Sequence, residues 1–380
     1  MKEPRLVSRK LTPLGLGLAM AGLLVIAWGL LESSWQRTGL GLALVFTPLA
    51  SGLLAHLAAN ELMNNLERRI PEVPVEGYVA PINLSVKNNS LLALIIAEVE
   101  DTPPRNLKRI GSSRTRLIAP PGTEARTEYY LVARAGKRAF GEVKAKVYDP
   151  LGLYELTIKW HPKGEAHLHG KPTQKKVELK ESLEREVSTL VRRYSQGMGL
   201  EFYEIREYRE GDDPRLIDWK ATARLGKLIV KEMRKETSSP VIIMIAPGPE
   251  GDQGEPYKTP FERASRIAAG LAGELSSKGV TVGYIGLVEE PIIVPPSPGP
   301  RGLHAVLSGL AETPPSGEPP QHSAVVIRKY LRDYVRARPL LLLLAPPAIA
   351  DAIGEEARTV AGEVNGKLIV VVVKDEKEDN

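Results

Sequence analysis

The chain of 380 residues contains no cysteine. Disulfides, iron–sulfur clusters, thiolate zinc sites and cysteine nucleophiles are therefore excluded. Asn and Gln are few, whereas proline is abundant at 31 residues. With zero Cys, that composition leans toward a thermophilic source. A strong charge of one sign is also missing. The net charge of +5 is small for this length and does not demand nucleic acid, although it suits a protein beside an anionic membrane. The length leaves room for two or three domains.

Against those absences stand two long apolar runs. Residues 11–31 carry no charge, and 39–60 repeat the pattern around Pro48. Each is close to the ~20 residues that cross a bilayer as a helix. The link ESSWQRT between them is polar with one Trp, as an interfacial turn requires. The first run exceeds the ~7–15 apolar residues of a signal-peptide core and a second follows at once, which favours a transmembrane hairpin over residues 1–70. Lys2, Arg5, Arg9 and Lys10 precede the first run, Arg68 and Arg69 follow the second, and the link holds only Arg37. That distribution predicts a multi-pass protein of the cell membrane with both termini and the globular domains in the cytoplasm. His56, inside the second run, is expected to make a helix-interface hydrogen bond.

From 71 to 160 the period changes to two. INLSVKNN, LLALIIAEVED, ARTEYYLVARAG, GEVKAKVYD and LYELTIKW are strand-like and bounded by turn residues, predicting a β-sandwich of immunoglobulin-like architecture. YDPLGLY (148–154) reads as a turn between two strands. Residues 161–177 read as a basic linker. Its His161, His167 and His169 lack a fourth ligand at suggestive spacing, so no metal and no cofactor is expected. A helix is expected over 178–195. From 241 on, apolar strands alternate with helices at 260–277, 300–312, 323–338 and 348–362, predicting a parallel sheet covered on both faces. The domain ends near 374, before a charged tail over 375–380.

Between these parts lies REYREGDDPRLIDWKATARLGKLIVKE (206–232), the densest mixture of charge and turn chemistry in the chain. Arg206, Glu207, Tyr208, Gly211, Asp212, Asp213, Arg215, Asp218, Trp219, Lys220 and Arg224 are its candidate working residues. Residues 201–236 hold nine basic and nine acidic side chains, a poor phosphate-binding balance. Asp212, Asp213, Asp218 and Lys220 loosely echo a metal-dependent hydrolase, but such sites usually draw their ligands from separate strands. A structural reading has the aspartates capping a short helix at about 214–224, Arg206 and Arg215 pairing with acids, and Trp219 packing beneath. The remaining reading is a protein-docking surface, which an Arg/Asp mixture suits.

This run resembles the signature of the membrane-associated family catalogued as domain of unknown function fifty-eight. The YDPLGLY turn and the N-terminal hairpin fit that family's layout too. The resemblance implies a C-terminal α/β fold similar to a von Willebrand factor type A domain. Its metal site would need an Asp-x-Ser-x-Ser sequence after the strand VIIMIA. Here Ala246, Pro247, Gly248, Pro249 and Glu250 follow instead, and Asp252 lies too far along, so the expectation is that the metal site is lost. The resemblance also implies a MoxR-type AAA+ ATPase as the partner class. Taken with the charge balance of the motif, the expectation is a non-catalytic scaffold or adaptor in assembly or maturation of other proteins, the alternative being an enzyme centred on Asp212, Asp213, Asp218 and Lys220.

Overall fold

A computed structural model describes residues 5–70, 73–164, 166–174, 200–235, 239–335 and 338–373. The helix expected over 178–195 and the charged tail lie outside these residues. The chain divides into two compact units, Met1–Lys171 and Pro172–Asn380.

The first unit opens with strand β1 (Arg5–Leu11), followed by helices α1 (Pro13–Leu31) and α2 (Trp35–Asn65). Both helices are long and apolar enough to cross a membrane, and most of their residues are not buried. They form a hairpin through small residues. Gly15, Gly22 and Gly29 recur every seventh position on the buried side of α1. A Cβ on Gly22 would lie 2.8 Å from Val45 and 2.9 Å from the Gly41 carbonyl oxygen, so only glycine permits this approach. Pro48 sits inside α2 without ending it.

Helix α2 runs past the expected second span, to Asn65. Its last turns leave the hairpin and enter the core of the β region, where Ala55, Ala58, Ala59 and Leu62 are buried. The chain then passes directly into β2 (Leu66–Arg69). Next come β3 (Val79–Lys87), β4 (Ile95–Glu100), β5 (Arg109–Ile110), β6 (Arg114–Ala119), β7 (Glu124–Val132), β8 (Gly136–Ala139), β9 (Val143–Tyr148), β10 (Tyr154–Trp160), β11 (Lys163–Gly164) and β12 (His167–Gly170). Two five-stranded sheets result, ordered β1-β10-β9-β4-β6 and β11-β2-β3-β7-β5. All their pairings are antiparallel except β11 with β2. Alternate residues of both sheets, with α2, fill one core: Leu84 and Val86 from one side, Ile95, Val99, Leu117, Val143 and Leu156 from the other. The basic stretch after 160 is not wholly a linker, since β12 pairs with β8 and buries Leu168.

Three features tie this unit together. Arg68 and Asp101, both buried, form a bidentate pair; Tyr129 donates to Asp101 at 2.7 Å, and Arg68 stacks on Phe140 at 4.5 Å. The YDPLGLY turn forms as expected: the buried Asp149 carboxylate accepts the N–H groups of Leu151 (2.9 Å) and Tyr154 (2.6 Å). That turn also seats α1. Thr12, the N-cap, donates through its hydroxyl to the Gly152 carbonyl at 2.7 Å and through its N–H to that of Leu153 at 3.0 Å.

The second unit contains β13 (Leu200–Glu207), α3 (Trp219–Leu225), β14 (Ile229–Lys235), β15 (Val241–Ile245), α4 (Pro260–Ser277), β16 (Val282–Gly286), β17 (Ile292–Ser297), α5 (Gly299–Glu312), α6 (Ser323–Tyr334), β18 (Leu340–Ala345), α7 (Pro347–Glu363) and β19 (Lys367–Val372). Its five-stranded sheet has the order β17-β16-β15-β18-β19. β15, β16, β18 and β19 are parallel. β17 is antiparallel to β16, because the few residues between them suffice for a hairpin but not for a crossover. The sheet is thus mixed and mostly parallel. Ile242, Met244, Leu341 and Leu343 face α6 and α7, while α4 and α5 pack together on the opposite face. Thr259 caps the start of α4: its hydroxyl accepts the Glu262 N–H at 3.4 Å and donates to the buried Glu262 carboxylate at 3.0 Å.

Candidate functional site

The candidate segment is an antiparallel hairpin of β13 and β14 whose connection folds back on its own base. The strands pair from Leu200↔Lys235 to Glu207↔Ile229. The connection is then stitched on by backbone hydrogen bonds from Tyr208 to Leu228 (2.9 Å) and from Asp218 to Ile229 (2.8 Å). Thr222 Oγ1 accepts the Ile229 N–H at 3.0 Å, and Ile217 makes an isolated bridge to Val230. Gly211 (φ +106°) and Gly226 (φ +67°) supply the left-handed turns, the latter closing α3.

The aspartates do the internal work. Arg206 donates twice to Asp212, at 2.7 and 2.8 Å, and the N–H of Arg209 adds a third bond at 2.7 Å. Those bonds, the guanidinium first, hold the Asp212 carboxyl down at about 2. Asp213 accepts the Arg215 N–H and opens a 3-10 turn over Pro214–Leu216. Asp218 is the N-cap of α3, accepting from the N–H groups of Lys220 and Ala221 at 3.0 Å each, with Lys231 3.5 Å away. The bond from Ala221, followed by the nearby Lys231, lowers its carboxyl below the usual range. Glu207 is likewise lowered by its 2.8 Å bond from Lys227. The continuous helix expected over 214–224 is therefore split at Ile217–Asp218, because each aspartate caps its own short turn.

The cations and the aromatic residue are left outside. Arg215, Lys220 and Arg224 are exposed and make no ion pair among the described residues. Trp219 is 68% exposed instead of packing beneath the charges, and among the described residues Arg215 pairs with no acid. The exposure of Trp219 follows from Asp218: as N-cap it fixes α3 so that Ala221 turns inward and Trp219 and Lys220 outward. Leu225 (52%), Leu228 (46%) and Ile205 (43%) add apolar surface to the same hairpin. Glu210 is exposed, and Tyr208 is half-buried. Lys227, Lys231 and Thr222 complete the constellation and were not singled out from sequence. The signal was the strand register, which puts Lys231 opposite Ile205, beside the cap.

The other place to look is the end of β15, where open α/β sheets bind ligands. There Gly248 bridges to Gly317, and Gly248 packs near Pro346 and Ile349. Ala246 is fully buried. The loop that follows carries Glu250, Asp252 and Glu255, but among the described residues no three His, Asp or Glu side chains converge as a ligand set. His161 instead lies 3.9 Å from Glu142, and His56 Nδ1 lies 2.8 Å from the Gly52 carbonyl, within its own helix.

Residues 204–380 match the family described as "Protein of unknown function DUF58", so the C-terminal part of the chain is a DUF58 domain. The match begins within β13, so the hairpin belongs to that domain. The chain is also 21% identical over 302 residues to "Uncharacterized protein YeaD" of Bacillus subtilis (strain 168), covering 78% of this chain and 72% of the relative. That alignment is longer than the family domain and so reaches upstream of it.

Proposed function

We propose that the chain is a membrane-anchored docking protein. In this reading α1 and α2 span the bilayer. The two facing sheets are a β-sandwich of immunoglobulin-like kind, and the C-terminal sheet is a doubly wound, type A-like domain without its metal site. Both globular parts lie in the cytoplasm. The N-terminal strand supports an uncleaved anchor, since β1 pairs along its length with β10 and removal of the first helix would strip an edge from the sheet.

One observation carries the docking role. Asp212, Asp213 and Asp218 satisfy neighbouring donors, while Arg215, Lys220, Arg224 and Trp219 are held outward by that same scaffold. Arg and Trp on a preorganised surface are the residue types that dominate protein interfaces. Exposed cations on a rigid hairpin call for an acidic partner surface. The partner class we propose is a MoxR-type AAA+ ATPase, with the chain serving as scaffold or adaptor in protein assembly or maturation. A metal-dependent hydrolase built on Asp212, Asp213, Asp218 and Lys220 is less well supported, because Asp212 spends both oxygens on Arg206 and Asp218 is engaged by two backbone N–H groups and Lys231.

Affinity purification from native membranes tests this reading. The wild-type chain should recover the ATPase, and Trp219→Ala with Arg224→Glu should lose it while the Asp212 carboxyl keeps its low titration. Equal recovery by both proteins would overturn the assignment of the surface.

A further inference from the structure

The β region carries apolar side chains where a soluble domain would place polar ones. Leu91 is 91% exposed, Leu92 79% and Leu151 59%. Their loops are nevertheless firmly built. In the β3–β4 loop, the fully buried Asn88 donates to the carbonyls of Ala93 (2.7 Å) and Ala119 (2.8 Å), and its own oxygen accepts the Ser90 N–H at 3.1 Å. Ser90 Oγ accepts the Ala93 N–H at 2.7 Å. In the β9–β10 turn, Asp149 is buried and organises the backbone below Leu151. Polar side chains point in and leucines point out in both, the reverse of ordinary loop chemistry.

Strand register puts both loops at one end of the unit. Lys10↔Glu155, Glu155↔Tyr148, Tyr148↔Ile96 and Ile96↔Ile118 form one transverse row across β1, β10, β9, β4 and β6. Just beyond this row lie the start of α1, the 149–153 turn and the 88–94 loop. Ile118, in the row itself, is 56% exposed. The hairpin leaves from this same end, since Thr12 is bonded to Gly152 and Leu153. From there α1 extends for 19 residues. That is about 28 Å, close to the ~30 Å hydrocarbon thickness. Trp28 and Trp35 lie near its far end, where aromatic residues meet the opposite interface. The base of the hairpin, and with it the two loops, is then level with the near interface. Arg9, Lys10 and Lys87 are exposed on this end, as suits anionic headgroups.

We infer that the β region is a monotopic membrane-contacting surface: Leu91, Leu92 and Leu151 insert into the near leaflet beside the hairpin. The inference rests on the membrane-anchored reading above. The occupant is lipid because the patch continues the exposed apolar surface of α1 and α2 at their base. Inserted side chains of this kind reach about 5–10 Å into the headgroup–acyl boundary.

The absence of cysteine allows a direct test. Single cysteines at Asn89→Cys, Leu151→Cys, Leu24→Cys and Arg105→Cys are labelled with an environment-sensitive fluorophore, in the full chain reconstituted into phosphatidylcholine–phosphatidylglycerol vesicles. Arg105 lies at the opposite end of the sheets and Leu24 in the middle of α1. Lipids with quenchers near the headgroup should quench residues 89 and 151, deep quenchers should quench 24, and neither should quench 105. Leu91→Asp with Leu92→Asp should abolish quenching at 89. If 89 and 151 stay unquenched while 24 is quenched, the loop insertion is wrong and the anchor stands. Lack of quenching at 24 as well would remove both. Shielding of 89 and 151 from aqueous iodide without lipid quenching would assign the patch to a protein, and would also overturn the inference.

Discussion

Two charged clusters of the chain look alike in sequence and differ in consequence. Arg206–Asp212 lies near the surface of a hairpin, where an ion pair contributes little to global stability. Its effect is local order, and it has a pH window. The Asp212 carboxyl is depressed from its ordinary 3.8 to about 2. Its contribution is thus complete above about pH 4 and is lost as pH falls through 2. Carbon-detected NMR of the carboxyl should show that low titration, and Arg206→Ala should return it toward the ordinary carboxylate range. An unchanged titration in the variant would disprove the pairing. Arg68–Asp101 is the opposite case, buried on both sides. Asp101→Ala leaves an uncompensated guanidinium between the sheets and should cost about 3–5 kcal/mol. A clear fall in the thermal unfolding midpoint in detergent checks this. Burial also drives the Tyr129 phenol up, so it stays a donor to Asp101 throughout the ordinary pH range.

Elements depend on single small residues or caps at their ends. Helix α3 has only seven residues and would not persist alone. Asp218→Ala removes its N-cap and should speed amide exchange at Lys220 and Ala221 before any global unfolding. The two long helices depend on glycine in a different sense. Gly22→Leu places a branched side chain against the Gly41 carbonyl and Val45, so the hairpin must splay. Loss of a disulfide crosslink between engineered cysteines at the α1–α2 contact would report it. Element type was legible wherever one period ran uninterrupted: both apolar helices, the strands after 79, and the alternating strands and helices after 241. Legibility failed where distant chain segments decide. Nothing within 5–11 announces a strand, since its partner β10 lies some 150 residues on and β1 alone is unremarkable polar sequence. The end of α2 was missed because Ala55, Ala58 and Ala59 suit lipid and protein cores equally.

Across the whole molecule, each of the two clustered motifs fixes what its neighbours present to the surroundings. YDPLGLY was readable as a turn, but not as the seat of α1, because that role is written in two backbone carbonyls, Gly152 and Leu153, and not in its side chains. The hairpin motif was readable as a capped, crosslinked cluster. Which charges face outward was not readable, because that depends on whether Asp218 or Asp213 starts the helix. The structure gives each its own turn and thereby turns Trp219 to solvent. In the docking role proposed above, this outward face binds an acidic partner. Its most direct test is a titration of the full chain, held in nanodiscs, with a purified MoxR-type ATPase from the same organism. Binding should weaken with added salt and fall about 30-fold or more on Trp219→Ala, the ~2 kcal/mol of an interface hot spot. Arg215→Glu with Lys220→Glu should lower the association rate. Salt-insensitive binding that survives all three substitutions, or no binding by the wild-type chain, would contradict it.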